Sequence, residues 1–327
     1  MTALVTGASG FLGGRLVQVL AADGVPVRIL ARRGAELRHL AGLRIKVVEG
    51  SLADEDALAA AVRGATYIYH CAGCSTDWAP EAAYFAANVA GVRNLLAAAR
   101  RLRGLRRLLH VSTTDVYGYP RTPCDESHPA VDAGLPYNRT KRLGEECVWD
   151  ARRESGLPIT VLRPATIFGP RGQAFTVEIA RLIRQGTMAV IDGGRAPGGF
   201  CYVDNVVRAM MQAAAAEQSE GKAYNIADGS GKTWREYVDA LADGLAARRP
   251  ALNLPSALAL PLARAFEASH AALHLPGRPL LTRHAVYLLS RNQEYPTERA
   301  RQDFGFAPEV GFAEGLERAL EWLREAQ

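Results

Sequence analysis

Tyr137 and Lys141 stand four residues apart in Pro136-Tyr-Asn-Arg-Thr-Lys141, a spacing that puts both side chains on one face of a helix. A phenol with its unperturbed pKa of about 10 is a poor acid–base group at neutral pH. An ammonium beside it stabilises the phenolate and lowers that pKa, and proton transfer improves as the pKa nears the working pH. Lysine is rare in this chain: Lys46, Lys141, Lys222 and Lys232 are the full set, and arginine carries the remaining positive charge. A lysine at 141 runs against that habit, which favours a functional pair over a surface coincidence. Upstream, Val111-Ser112-Thr113-Thr114 sets hydroxyls at a strand end, where they can hold a substrate oxygen beside the tyrosine.

A second constellation lies at the start of the chain. Thr6-Gly7-Ala8-Ser9-Gly10-Phe11-Leu12-Gly13 follows a short apolar run and precedes a helical pattern. Glycines let the backbone turn tightly and approach a ligand, and a helix N-terminus offers unpaired N–H groups and a partial positive charge to a pyrophosphate. The spacing between glycines differs from the commonest dinucleotide fingerprint, G-x-G-x-x-G. The strand–turn–helix context is what makes the match specific. Gly231-Lys232-Thr233 looks like the end of a phosphate loop, but Ile226 stands where that motif needs its first glycine.

These groups need a scaffold, and the chain supplies alternating patterns. Strand candidates are residues 3–6, 25–30, 45–49, 67–71, 107–112 and 159–163, with helix candidates at 13–22, 54–62, 82–101 and 137–154. Such alternation predicts an α/β fold, a Rossmann-type doubly wound parallel sheet, with ligands bound at the carboxyl ends of the strands. After Gly169-Pro-Arg-Gly172 the alternation breaks. A short return at 200–204, a helix at 205–216, a strand at 224–226 and a proline-punctuated helical stretch follow. We expect a dinucleotide-binding domain over residues 1–170, joined by a returning segment 200–220. Residues 171–199 and 221–327 then form a smaller, mostly helical C-terminal substrate lobe.

Composition narrows the class. At 327 residues the chain can bury a large core. Its 48% hydrophobic and 22% charged residues are those of an ordinary globular protein. The formal charge of +5 comes from scattered arginines, which suits anionic small molecules and gives no nucleic-acid patch. No apolar run reaches the roughly 20 residues of a membrane span, and a strand beginning at residue 3 leaves no room for a signal peptide. Cys71, Cys74, Cys124, Cys147 and Cys201 are dispersed and odd in number, as expected of reduced thiols in the cytoplasm. Cys71-Ala-Gly-Cys74 has no second pair to complete a metal site, so no metal is expected.

The ordered motifs resemble the extended short-chain dehydrogenase/reductases over nearly the whole chain. The matching pieces are Thr6-Gly7-x-x-Gly10-x-x-Gly13, His70-Cys-Ala72-Gly73, Asn88-Val-Ala-Gly91, Ser112-Thr113 with Val116-Tyr117-Gly118, Tyr137-x-x-x-Lys141, and Arg163-Pro164-Ala165-x-Ile-Phe168-Gly169-Pro170. The resemblance implies that Tyr137 exchanges a proton with the substrate oxygen. Lys141 would hold the nicotinamide ribose and depress the tyrosine pKa. Thr113 would hydrogen-bond the reacting oxygen, with Ser112 as the fallback. Pro164, Ala165 and Thr166 would line the nicotinamide, and Ser51, Leu52, Cys71, Ala72, Gly73, Asn88 and Ser112 would complete the cofactor site with the glycine turn (Thr6, Gly7, Ser9, Gly10, Phe11, Leu12, Gly13). An acidic residue after the second strand would favour NAD; here Ala31-Arg32-Arg33 stands there, and arginine can grip a 2′-phosphate. NADP is favoured and NAD remains possible. Ser51 replaces the aspartate usual in the family. A homodimer is a family expectation.

The family holds several reactions. Dehydratases carry Thr-Asp-Glu after the strand; this chain reads Thr113-Thr114-Asp115, which counts against dehydration. Nucleotide-sugar enzymes commonly carry an arginine before the return segment; here Gly198-Gly199 occupies the place, with Arg195 near. The C-terminal third, with Tyr202-Val-Asp204, Tyr224-Asn-Ile226 and Asp303-Phe-Gly305-Phe306, resembles the 3β-hydroxysteroid dehydrogenase/isomerase branch, itself similar to sterol-4-carboxylate dehydrogenases and 2-alkyl-3-oxoalkanoate reductases. That implies interconversion of a secondary alcohol and a ketone on a bulky, largely apolar small molecule. Cys74, Ser75, Trp78, Thr114 and Phe168 are the candidate substrate contacts. The alternatives are a nucleotide-sugar epimerase with tightly bound NAD and a non-catalytic NADP-binding regulator, which would not need Thr113, Tyr137 and Lys141.

Overall fold

The computed structural model describes residues 2–326. Six strands follow the predicted alternation: β1 (Ala3–Thr6), β2 (Val27–Ala31), β3 (Ile45–Glu49), β4 (Tyr67–His70), β5 (Arg107–Val111) and β6 (Ile159–Pro164). Between them run helices α1 (Phe11–Ala22), α2 (Glu55–Val62), α3 (Glu81–Phe85), α4 (Gly91–Ala99) and α5 (Pro136–Ser155). Three short strands come next, β7 (Thr166–Phe168), β8 (Ala189–Ile191) and β9 (Phe200–Tyr202), and then β10 (Ala223–Ile226) and β11 (Leu252–Leu254). The later helices are α6 (Glu178–Arg184), α7 (Val203–Ala215), α8 (Trp234–Gly244), α9 (Ser256–Leu273), α10 (Arg283–Ser290), α11 (Glu298–Phe304) and α12 (Phe312–Glu325).

Seven strands form one sheet in the order β10-β6-β5-β4-β1-β2-β3, every pairing parallel. Parallel strands need covered faces, and the chain covers both. On one face α1 and α7 bury Leu16, Val17, Val206 and Met210; on the other α2, α4 and α5 bury Leu58, Leu95 and Val148. All strands point the same way, so their carboxyl ends share one rim. A third core, around Phe168, Phe200, Trp234 and Tyr237, holds the C-terminal helical region together.

The helix expected over 82–101 runs from Glu81 to Ala99 and carries a wide π-helical turn, Ala86–Ala90, between α3 and α4. The helix expected from residue 205 begins at Val203, immediately after β9. Smaller shifts of a residue or two affect other ends, as when β2 begins only after Pro26, which fits a residue that cannot donate to a ladder.

Candidate active site

β1 delivers the glycine turn to the middle of the rim. Gly7 sits at φ 75°, a conformation that favours glycine. A Cβ there would lie 2.6 Å from the Ala72 amide nitrogen, and one at Gly13 would lie 2.4 Å from the Gly7 carbonyl oxygen. Helix and strand therefore meet backbone to backbone. Gly10 caps α1 without a side chain, so the N–H groups of the first turn, Phe11 to Gly13, are left for a ligand. Ser9 is exposed at this mouth. Thr6 is buried beneath it, its hydroxyl 2.7 Å from His70 Nδ1 and accepting from the Ala72 N–H at 3.4 Å. A diphosphate-bearing dinucleotide fits this cradle, both in the free donors and in the absence of side chains that would fill it.

At the end of β2, Arg32 and Arg33 are exposed, and their guanidinium groups make no hydrogen bond or ion pair among the described residues. Most other arginines in the chain are paired. Ser51 caps a local turn, accepting from the Ala53 N–H at 3.2 Å, and Leu52 packs against Gly91. Cys71, Ala72 and Gly73 lead off β4. All five cysteines are free thiols, and burial pushes the Cys71 thiol up to about 12. Asn88 sits in the π-helical turn. Its Oδ1 accepts from the Cys74 N–H at 2.8 Å, and its Nδ2 donates to the Cys74 carbonyl at 3.0 Å and to Thr140 Oγ1 at 3.1 Å. One side chain thus ties the loop after β4 to α5. The closeness requires Gly144, where a Cβ would lie 2.1 Å from the Asn88 carbonyl oxygen.

Tyr137 and Lys141 occupy the first turns of α5, beside the end of β5. Pro136 opens the helix, a position where its missing N–H is no loss. Tyr137 hydrogen-bonds Thr113. Thr113 is buried and also accepts from the Asp115 N–H at 3.2 Å. Lys141 is buried and donates to the Val111 carbonyl at 2.8 Å. Burial lowers the Lys141 ammonium to about 8. Burial, together with the Asp115 carboxylate, raises Tyr137 above the ordinary phenol range. Desolvation and the neighbouring carboxylate thus set the direction of the Tyr137 shift.

Ser112 does not stand as an alternative to Thr113. Its hydroxyl donates to Glu145 Oε2 at 2.7 Å, inside a buried network. Thr114 is buried against Tyr295. Phe168 is fully buried among Phe200, Tyr202, Tyr237 and Phe312, so it is a core residue and not a substrate contact. Cys74, Ser75 and Trp78 lie on the loop after β4, and Trp78 packs edge-on against His270 of α9 at 6.3 Å. Asp77 on the same loop accepts from the Thr282 hydroxyl at 3.0 Å and pairs with Arg278. Pro164, Ala165 and Thr166 cross from β6 to β7, held by Ala165 N–H to Ile226 O and Thr166 N–H to Gly199 O.

Residue patterns alone missed His284, Tyr119 and Arg171. His284, at the start of α10, places Nε2 2.8 Å from Asp115 Oδ2, and its ring lies 5.4 Å from that of Tyr137. Tyr119 donates to the same Asp115 oxygen at 2.9 Å. Arg171, at φ 69°, has no hydrogen bond or ion pair among the described residues and follows Pro170 on a loop packed against Phe11. The positive φ of a non-glycine residue was the kind of strain that sequence does not display.

The model of the NAD dependent epimerase/dehydratase family matches residues 3–227. A 4-hydroxy-2-methyl-3-oxo-4-farnesyl-3,4-dihydroquinoline-1-oxide ketoreductase of Stigmatella aurantiaca is 33% identical over 97% of this chain and 95% of its own. A 2-alkyl-3-oxoalkanoate reductase of Stenotrophomonas maltophilia is 32% identical over 97% and 98%. Among solved structures, the UDP-glucose 4-epimerase of Thermotoga maritima with UDP-glucose superposes with a TM-score of 0.81 at 22% identity, covering 100% and 99% of the two chains.

Proposed function

The chain belongs to the NAD dependent epimerase/dehydratase family and is an extended short-chain dehydrogenase/reductase acting on CH–OH groups, and from that premise we propose that it interconverts a secondary alcohol and a ketone on a bulky, largely apolar molecule, preferring NADP. The observation that carries this reading is the convergence of Thr113, Tyr137 and Lys141 at the end of β5. The cofactor, when bound, supplies or accepts the hydride; the protein supplies position and a proton. Tyr137 gives its hydroxyl proton to the carbonyl oxygen of a ketone, and takes it back from an alcohol. Thr113 holds the Tyr137 hydroxyl and the reacting oxygen in one plane of hydrogen bonds. Lys141, fixed on the Val111 carbonyl, presents its charge to the ribose side. A tyrosine held in its neutral form is a proton donor, which favours ketone reduction at neutral pH.

Three observations support the finer parts. The unpartnered Arg32 and Arg33 suit a 2′-phosphate. Two relatives are named as reductases of 3-oxo compounds carrying farnesyl or alkyl chains. Finally, the place where nucleotide-sugar enzymes carry a phosphate-gripping arginine has no room for a side chain: a Cβ at Gly199 would lie 1.9 Å from the Gln293 carbonyl oxygen, and one at Gly198 2.3 Å from the Phe200 ring. Arg195 is exposed near Asp192.

The test is a titration of the purified protein with NADPH and NADH. It is followed by a 2-alkyl-3-oxoalkanoate with reduced cofactor, and by a 3-hydroxysteroid, UDP-glucose and UDP-galactose with oxidised cofactor, watching nicotinamide absorbance. Net redox with the oxoalkanoate or steroid, and none with the sugars, is the expected result. Co-purified NAD, sugar interconversion and no net redox would replace this reading with an epimerase.

A further inference from the structure

The Asp115 carboxylate poses a problem for the site as built. It lies close enough to Tyr137 to disfavour the phenolate, and it is held there by the backbone: Asn138 Nδ2 donates to its carbonyl at 2.6 Å and Thr113 caps its N–H. The carboxyl side chain is buried, with Tyr119 and His284 both bonded to one oxygen. His284 comes from the C-terminal region, 169 residues away in sequence. Its own ring is buried, and its Nδ1 has no hydrogen-bond partner. A buried imidazole nitrogen left unpaired is costly, so the ring is held there by what its other nitrogen does.

We propose that His284 is a positioning residue of the catalytic centre: by donating from Nε2 to Asp115 it holds that carboxylate's charge off the Tyr137 hydroxyl and so keeps Tyr137 able to release its proton. The substrate lobe thereby contributes an electrostatic part to a site otherwise built on the sheet rim. The groups facing Tyr137 are Asp115 and Thr113 from the turn after β5, Tyr119 beyond it, Cys74 from the loop after β4, Tyr84 from α3 and His284 from α10. Those facing His284 are Asp115, Tyr119 and Tyr137. Asp115 is the acidic residue common to both sets. The inference rests on Tyr137 being the proton donor.

The experiment is a pH titration of [13Cζ]-tyrosine-labelled protein with NADP bound, the Tyr137 resonance assigned with Y137F. Asp115→Asn is expected to bring the Tyr137 ionisation at least one pH unit lower, and His284→Ala to move it at least one unit higher or out of range. In the D115N background, H284A is expected to change nothing, because His284 acts through Asp115. Equal shifts from H284A with and without Asp115 would overturn the inference, as would no shift in D115N. His284→Gln keeps a donor and is expected to retain the wild-type ionisation if H284A does not fold. Turnover by Y137F would sink the functional reading while leaving the titration to decide this one.

Discussion

Arg163 of β6 and Glu145 of α5 form a buried ion pair beside Ser112, at the carboxyl end of β5. Arg163 Nε donates to Glu145 Oε2 at 3.1 Å and its Nη2 to Oε1. The remaining acceptor sites of Glu145 are filled by Ser112 at 2.7 Å and by Trp149 at 3.2 Å. Arg163 Nη1 also reaches Tyr117, whose hydroxyl bonds Asn225 of β10. Removing one member of such a pair strands the other charge in the interior. Glu145→Ala is therefore expected to cost about 3–5 kcal/mol of stability, and the double variant E145A/R163L to recover part of it. Urea denaturation of the three proteins checks this; an E145A midpoint equal to wild type would show the pair contributes nothing.

Tyr137→Phe removes one oxygen and leaves the helix intact. Turnover is expected to fall by about 10²–10⁴-fold, the ordinary contribution of a general acid, with NADPH affinity nearly unchanged. Because burial and Asp115 raise Tyr137 above the usual phenol range, the wild-type enzyme holds it protonated at neutral pH. Ketone reduction should then be supported at neutral pH, whereas alcohol oxidation, which needs the phenolate, should keep rising into the alkaline range. Rate profiles in both directions test the sign.

Arg32→Ala addresses the cofactor. Loss of one charge-assisted hydrogen bond to a 2′-phosphate is expected to weaken NADPH by about 10–100-fold and to leave NADH within about twofold. Fluorescence titration of both cofactors reads this directly. Equal weakening of the two would show that Arg32 does not read the phosphate.

His70 and His110 lie side by side on β4 and β5, ring centroids 5.3 Å apart, both buried. Burial, with the charge of Lys141 adding to it, holds His70 down to about 3 and pushes His110 well below its usual value. In the unfolded chain both rings bind protons below about pH 6.5. The unfolded state therefore binds more protons in that range, and stability is full above it and declines as pH falls towards 3. The slope is about 1.4 kcal/mol per pH unit for each ring. His110→Leu should flatten part of this dependence between pH 7 and 5. An identical slope in the variant would remove His110 from the account.

Local signals were legible in the sequence and distant ones were not. The glycine turn, the six strands before residue 165 and the Tyr137–Lys141 spacing are set within a few residues of chain, so pattern and propensity suffice to find them. His284 and Asp115, or Arg163 and Glu145, become partners only when the chain closes. A lone histidine in an apolar helix and a glutamate inside α5 carry no mark of it. Phe168 shows the converse: a motif residue next to the site by sequence, yet turned into the core because β7 pairs with β9 and hands its side chain to Phe200 and Tyr237. Nor does composition display the extra residue in the helix at 86–90, since no glycine or proline marks it.

That wide turn bears on chain length. The residues downstream of it, Val92, Leu95, Leu96 and Ala99, are buried, and they follow a turn that holds one residue more than a regular helical turn does. Deleting one residue between Ala86 and Ala90 would let that turn close to regular width and leave the buried stripe of α4 facing inward, whereas deleting one from α4 itself would rotate everything after it by about 100°, the angle of one helical step. Loss of the extra residue would instead be felt at Asn88, which the wide turn carries and which anchors the loop after β4. The turn is therefore a place where chain length can change with the core frame kept and the site disturbed.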